Sequence, residues 1–445
     1  MTQHDSRGLA VSTTSAAALA HYERAVDLAL GYYADPVAAV DAALAEDPDF
    51  VMAHVLRGTL HALANERGAV PAVSQAIEAA KPLLADADER ARTHVCALSA
   101  WRDGDWTRAV RRWGDILADH PRDVVALLGA HIGDFFLGWS QMLRDHPARV
   151  LPHWDESVPG FNFVLGMHAF GLEECGEYAR AEEVGLRALD LQRRDPWAVH
   201  AVAHVMEMQG RPDDGRAFLA ERRGDWEPEG LFAFHLHWHG ALYALENGDT
   251  AAALAVYDSL VRPKPNSIAL ELIDATAMLW RLRLRGVELG ARWDEVADHW
   301  ERLADDGHYA FNDVHAMMAF VGAGRPRSQR RVLYALAETA LRGGANAAMS
   351  REVGLPLCRA LDATGRGAWG EAVDLLLDVR PIAQRFGGSH AQRDVIALTL
   401  HHAALRAGRP RIAASVAAER LAARPDSPFA RLLSRTATGA AALAA

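Results

Sequence analysis

A helix-ending glycine followed five residues later by a small or polar residue recurs along the chain. It appears in Gly104-Asp-Trp-Thr-Arg-Ala109, Gly176-Glu-Tyr-Ala-Arg-Ala181, Gly210-Arg-Pro-Asp-Asp-Gly215, Gly248-Asp-Thr-Ala-Ala-Ala253, Gly367-Ala-Trp-Gly-Glu-Ala372 and Gly408-Arg-Pro-Arg-Ile-Ala413. The gaps between successive glycines are 72, 34, 38, 119 and 41 residues. They lie near one, two or three periods of about 34–42 residues, the length of a helix–turn–helix repeat. Proline-marked turns at Asp47-Pro48, His120-Pro121, Asp195-Pro196 and Arg424-Pro425 close several of the units. Two amphipathic helices of this size cannot bury both faces alone, so each unit must stack on the next. Apolar residues elsewhere recur at three- and four-residue steps in Ala/Leu/Arg/Glu-rich sequence, and alternating Val/Ile-rich runs are missing. The chain is therefore expected to be all-α, built of helical hairpins.

The expected organisation is a lead-in segment over 1–20, one helical domain over 21–435 and a frayed tail over 436–445. Pro152 and Pro159 crowd the stretch Arg149–Phe163, and Val261–Asn266 (VRPKPN) also breaks the rhythm. Both read as loops inside one array, with a sub-boundary near 150 as the alternative. The net charge of −11 over 445 residues, with arginines scattered, argues against a nucleic-acid-binding face. Three cysteines (Cys96, Cys175, Cys358), far apart and odd in number, exclude a disulfide framework or a CxxC knuckle. No apolar run approaches the length of a membrane span, and the N-terminus lacks the regions of a signal peptide. A cytoplasmic setting is expected. The 21 histidines, beside only two lysines (Lys81 and Lys264), are the unusual feature.

The most informative helix is expected to begin at Asp195, with Asp195 as N-cap, Pro196 in the first turn and Gly210 as its stop. On it Trp197, His200, His204 and Glu207 share one face, at steps of three, four and three residues. Such a stripe suits a half-dry surface whose polar groups need partners. His-x3-His-x2-Glu can also present two imidazoles and a carboxylate to one cation, though the zincin arrangement is absent. One unit later, His235 and His239 lie a turn apart on a helix apolar nearly all round. Asn312, Asp313 and His315 open a further helix, where Asp313 is either an N-cap or a carboxylate that orients an imidazole. Gly387-Gly388-Ser389-His390 precedes a helix with Ser389 and Gln392 spaced as a capping box. His390, Arg393 and Asp394 then share a face that an anion can approach. His131 and Asp134 stand three apart in a glycine-rich helix, and His168 lies in a similar setting, both read more simply as tight packing. No nucleophile elbow, phosphate loop or dinucleotide fingerprint is present.

The runs Leu151-Pro-His-Trp-Asp155, Gly166-Met-His-Ala-Phe-Gly-Leu-Glu-Glu174, Asp195 to Arg211, His235-Leu-His-Trp-His239, Phe311-Asn-Asp-Val-His-Ala-Met-Met318 and Arg385-Phe-Gly-Gly-Ser-His-Ala-Gln-Arg-Asp394 resemble the tetratricopeptide repeat protein 38 family. The likeness runs from Ser12 to about residue 410. It implies a tetratricopeptide-like α-α superhelix (solenoid) and little about chemistry.

Two classes of function follow. In the first the chain is a scaffold holding a peptide or protein partner in its groove. In the second, favoured by the His/Trp/Phe/Met composition of the distinctive helices, an inner pocket lined by His, Asp and Trp binds a small polar molecule. There His200, His204, Asp313 and His315 are the acid/base candidates. Trp197, Glu207, His235, His239, His390, Arg393, His131, Asp134 and His168 are the binding candidates. No cofactor is expected; a divalent metal at His200, His204 and Glu207 is the variant. Nucleic acid and membrane are not expected partners, and a homodimer is left open.

Overall fold

The computed structural model describes residues 3–443, with side chains to residue 439. Among the described residues the only strands are Gln3–His4 and Ala10–Val11, an antiparallel pair ahead of the first helix, Ala16–Leu30. The rest is α-helix with brief 3₁₀ and π turns, so the all-α expectation holds. None of these helices is long and apolar enough to cross a membrane. The last helix, Pro428–Leu443, continues through residues 436–443, where fraying was expected; residues 444 and 445 lie outside the described residues. An alanine-rich segment has the propensity to stay helical to its end.

The chain divides into two compact units, Met1–Val202 with Arg223–Phe232, and Ala203–Arg222 with Ala233–Ala445. The division falls inside the helix Pro196–Met208, not near residue 150. The short return of residues 223–232 to the first unit has a local cause. The Leu231 N–H donates to the Tyr32 carbonyl at 2.7 Å, and the Phe232 ring stacks on Tyr32 at 5.0 Å.

All six turn glycines named above adopt positive φ, the conformation that favours glycine. Three more, Gly138, Gly286 and Gly324, do the same and fill the long intervals. These nine, a subset of the positive-φ glycines between Gly104 and Gly408, follow at gaps of 34, 38, 34, 38, 38, 38, 43 and 41 residues. Consecutive helices pack as neighbours along both units. Inside helices, glycine serves close approach instead. A Cβ on Gly129 would stand 2.7 Å from the Trp113 ring, and one on Gly133 would stand 2.4 Å from Val110. The glycine-rich helix Val124–Leu137 thus packs against Trp106–Asp119, and Trp101, Trp106 and Trp113 form the aromatic filling of that contact.

One buried polar network ties the first unit together. Asp123 caps the helix Val124–Leu137 by accepting from the Ala126 N–H at 2.9 Å. Its other oxygen accepts from Arg90 at 2.8 Å and lies 3.0 Å from His94 Nε2. Arg90 also donates to the Ala10 carbonyl, holding the N-terminal strand pair to the helices. Burial alone would raise the Asp123 carboxyl, but the His94 imidazole, Arg90 and the Ala126 N–H outweigh it and hold it well below the usual carboxylate range.

Two outcomes follow. Asp123→Asn leaves Arg90 buried without its counter-charge and should cost about 3–5 kcal/mol at pH 7 in denaturant unfolding. Because the carboxyl is depressed in the folded state, its contribution is present above the unfolded value of about 3.9 and fades as pH falls below it, so variant and wild type should converge in acid. At Gly248, φ is +80° and a Cβ would meet open space. Gly248→Ala should therefore cost about 1–2 kcal/mol through backbone strain alone.

Candidate functional site

The second unit gathers its histidines around the end of the helix Pro196–Met208. His204 is fully buried there. On the helix Ala233–Glu246, His235 and His239 are separated by one turn and point to the same side, as their spacing predicts. The His204 and His239 rings lie 4.5 Å apart and the His235 and His239 rings 4.9 Å apart, centre to centre. Ring nitrogens of His204, His235 and His239 all lie within 4.8 Å of one another.

Two of the three rings are held from behind by a carboxylate. His235 Nδ1 lies 2.6 Å from Asp274 Oδ2, and His239 Nδ1 lies 2.9 Å from Glu207 Oε2. A carboxylate that accepts from Nδ1–H keeps the ring proton on that side and leaves the Nε2 lone pair for a ligand. Burial raises the Glu207 carboxyl, and burial with the neighbouring His204 and His235 holds the His239 imidazole well below its ordinary value. His239 is therefore a neutral ring, the form that ligates a metal. Behind His235 the indole of Trp238 stacks at 5.3 Å, and the Arg281 guanidinium lies 5.3 Å from that indole. Arg281 is buried and donates to the carbonyls of Ala277 and Ala391, which fixes it in place.

Asp274 and Arg281 belong to this candidate site, and helical spacing did not reveal them. The available signal was a carboxylate in the middle of a helix whose other residues, Leu272, Ile273, Ala275 and Ala277 among them, are buried and apolar. The metal variant written as His200, His204 and Glu207 is regrouped: Glu207 backs His239 from its Nδ1 side. His200, one turn before His204 on the same helix, is buried in the first unit against Phe170 and Phe232. Trp197 donates its indole N–H to the Leu30 carbonyl at 2.8 Å and packs on Tyr32 and His131.

The other expected residues fall elsewhere. Tyr309 occupies the N-cap of the helix Ala310–Gly322, so Asp313 is an interior residue of that helix and not its cap. Nor does Asp313 orient His315, whose Nδ1–H donates to the Phe311 carbonyl at 2.8 Å; a main-chain acceptor one turn back is nearer than any side chain. The capping box at Ser389 and Gln392 forms as expected, and His390 begins that helix. Arg393 reaches back to the carbonyls of Gly387 and Gly388, so it closes the turn. Gly388 is needed because a Cβ there would stand 2.3 Å from Phe311. Neither His315 nor His390 joins the triad. In the first unit His131 and His168 are buried, and Asp134 pairs with His146, not with His131.

The chain matches no protein-family model. The likeness to the tetratricopeptide repeat protein 38 family therefore rests on the motifs quoted above.

Burial lowers the His131 imidazole to about 3 and the His315 imidazole to about 4. Both should stay neutral in nitrogen-detected NMR down to pH 5. Since unfolded histidine takes up its proton near pH 6.5, they favour the fold above that value, and this contribution is lost as pH falls toward 4.

Proposed function

We propose that the protein binds a divalent transition metal of the zinc class through His204, His235 and His239, and that the ion serves chemistry on a small polar substrate. The observation that supports this is the meeting of three buried imidazoles, two of them backed by carboxylates. Imidazole donors suit zinc, copper, iron and nickel, whereas calcium and magnesium want oxygen. Bonds of 2.0–2.1 Å to a tetrahedral ion need nitrogens on the order of 3.3 Å apart, within the reach of small ring rotations here. Three protein ligands leave a fourth position. Filled by water, that position gives the nucleophile and Lewis acid of a hydrolytic site. Arg281, Trp238 and the two carboxylates would hold the ligands and tune the ion without touching it. The family resemblance would set this centre within a tetratricopeptide-like superhelix.

The test is elemental analysis of protein purified without added metal, followed by refilling with zinc. One equivalent per chain is expected, lost in His204→Ala, His235→Ala and His239→Ala with helicity retained. Asp274→Asn should weaken affinity about 10–100-fold, as expected for a residue that only orients a ligand. A substoichiometric content of every transition metal, before and after refilling, rejects the proposal.

A further inference from the structure

We propose that the first unit carries a separate site for a small organic anion, a phosphate ester or carboxylate with a flat apolar group, in the cleft between the helices Trp106–Asp119 and Ser140–Val150. The cleft has a volume of about 610 Å³, within the range of metabolite sites. Its charge is mainly positive, with Asp115 as the carboxylate in its lining. Arg108, Arg111 and Arg112 line one wall, spaced to project from one face of their helix, and Arg149 lines the other. Arg112 pairs with Asp115 at 3.4 Å; among the described residues Arg108, Arg111 and Arg149 have no carboxylate within 4.0 Å. In a chain of net charge −11, where most arginines with a defined partner meet an Asp or Glu, three guanidinium groups without a direct ion pair around one cavity, Arg149 feeling the buried Asp134 only at longer range, form a receptor for negative charge.

The floor of the cleft holds a built polar group. His146 is 3% exposed, and its Nδ1 lies 2.6 Å from Asp134, itself fully buried. The ring atom left over, Nε2, sits beside Gly114, where a Cβ would stand only 2.9 Å from it. Both residues line the cleft. Glycine at 114 thus keeps an oriented imidazole edge open where any side chain would cover it. Glycine inside a helix costs up to about 1 kcal/mol relative to alanine, so the opening carries a stability cost. Trp139 and Met142 supply the apolar wall on which a flat group can lie. The site shares no residue with the histidine triad of the second unit.

The measurement is calorimetric titration of the full chain with phenyl phosphate, benzoate and, as the uncharged control, benzyl alcohol. Both anions should bind saturably and more weakly as salt rises, and the tighter of the two identifies the acid group. Arg111→Ala with Arg149→Ala, both at exposed positions, should weaken binding by at least about tenfold, the worth of a lost charge-assisted hydrogen bond. Gly114→Ala, whose Cβ would press on the His146 Nε2 edge, should lose affinity to a similar degree, with circular dichroism checking that the variant remains folded. The proposal is overturned if neither anion binds, if the alcohol binds as well as the anions, or if the double arginine variant binds undiminished.

Discussion

An ionised carboxylate buried among apolar helices is untenable without a hydrogen-bond donor at hand, and among the described residues this chain meets that constraint with a carboxylate–histidine couple at four places. Asp123 faces His94 at 3.0 Å, Asp134 faces His146 at 2.6 Å, Asp274 faces His235 at 2.6 Å and Glu207 faces His239 at 2.9 Å. In each case the two partners come from different helices. The couple therefore fixes which faces of two helices meet and in what register, a task that interchangeable Ala, Leu and Val contacts perform less uniquely. Arg90 joins the first couple and makes it an ion-paired network. At Asp134 burial outweighs the His146 imidazole and the more distant Arg149, and the carboxyl rises to about 6.

The couples also separate the histidines by role. His315 donates to a carbonyl of its own helix, and His131 lies edge-on to Trp197 and Phe170. These rings behave as core residues, neutral and filling space. A ring whose Nδ1 is claimed by a carboxylate is different: its tautomer and orientation are set, and its second nitrogen is presented in a fixed direction. At His235 and His239 that direction is toward other imidazoles. At His146 it is toward a cleft edged with arginine.

Features governed by local geometry were legible in the sequence. The positive-φ turns at Gly104 through Gly408 and the Ser389–Gln392 capping box depend on residues within one turn of each other, as does Asp195 accepting from the Ala198 N–H. The shared face of His235 and His239 was legible for the same reason. The partners of the polar stripe were not. Glu207 is satisfied 32 residues away and His235 39 residues away, about one repeat on; the repeat period brings such helices together but does not say which side chains meet. His146 was overlooked because His131 stood at a more suggestive distance from Asp134 along the helix. His315 was no clearer from spacing, since its Nδ1–H is taken by the Phe311 carbonyl one turn back.

Small residues decide what these helix contacts become. At Gly129 the space left by the missing side chain is taken by the Trp113 ring, and at Gly133 by Val110, so both contacts are sealed with apolar atoms. At Gly114 the equivalent space is taken by the Nε2 edge of His146. The backbone device is one and the same, a glycine that admits a neighbour's side chain to van der Waals distance. An indole or isopropyl group there ends the matter in packing. An imidazole held by a buried carboxylate leaves a polar atom at the rim of the contact, where the neighbouring arginines give it something to bind.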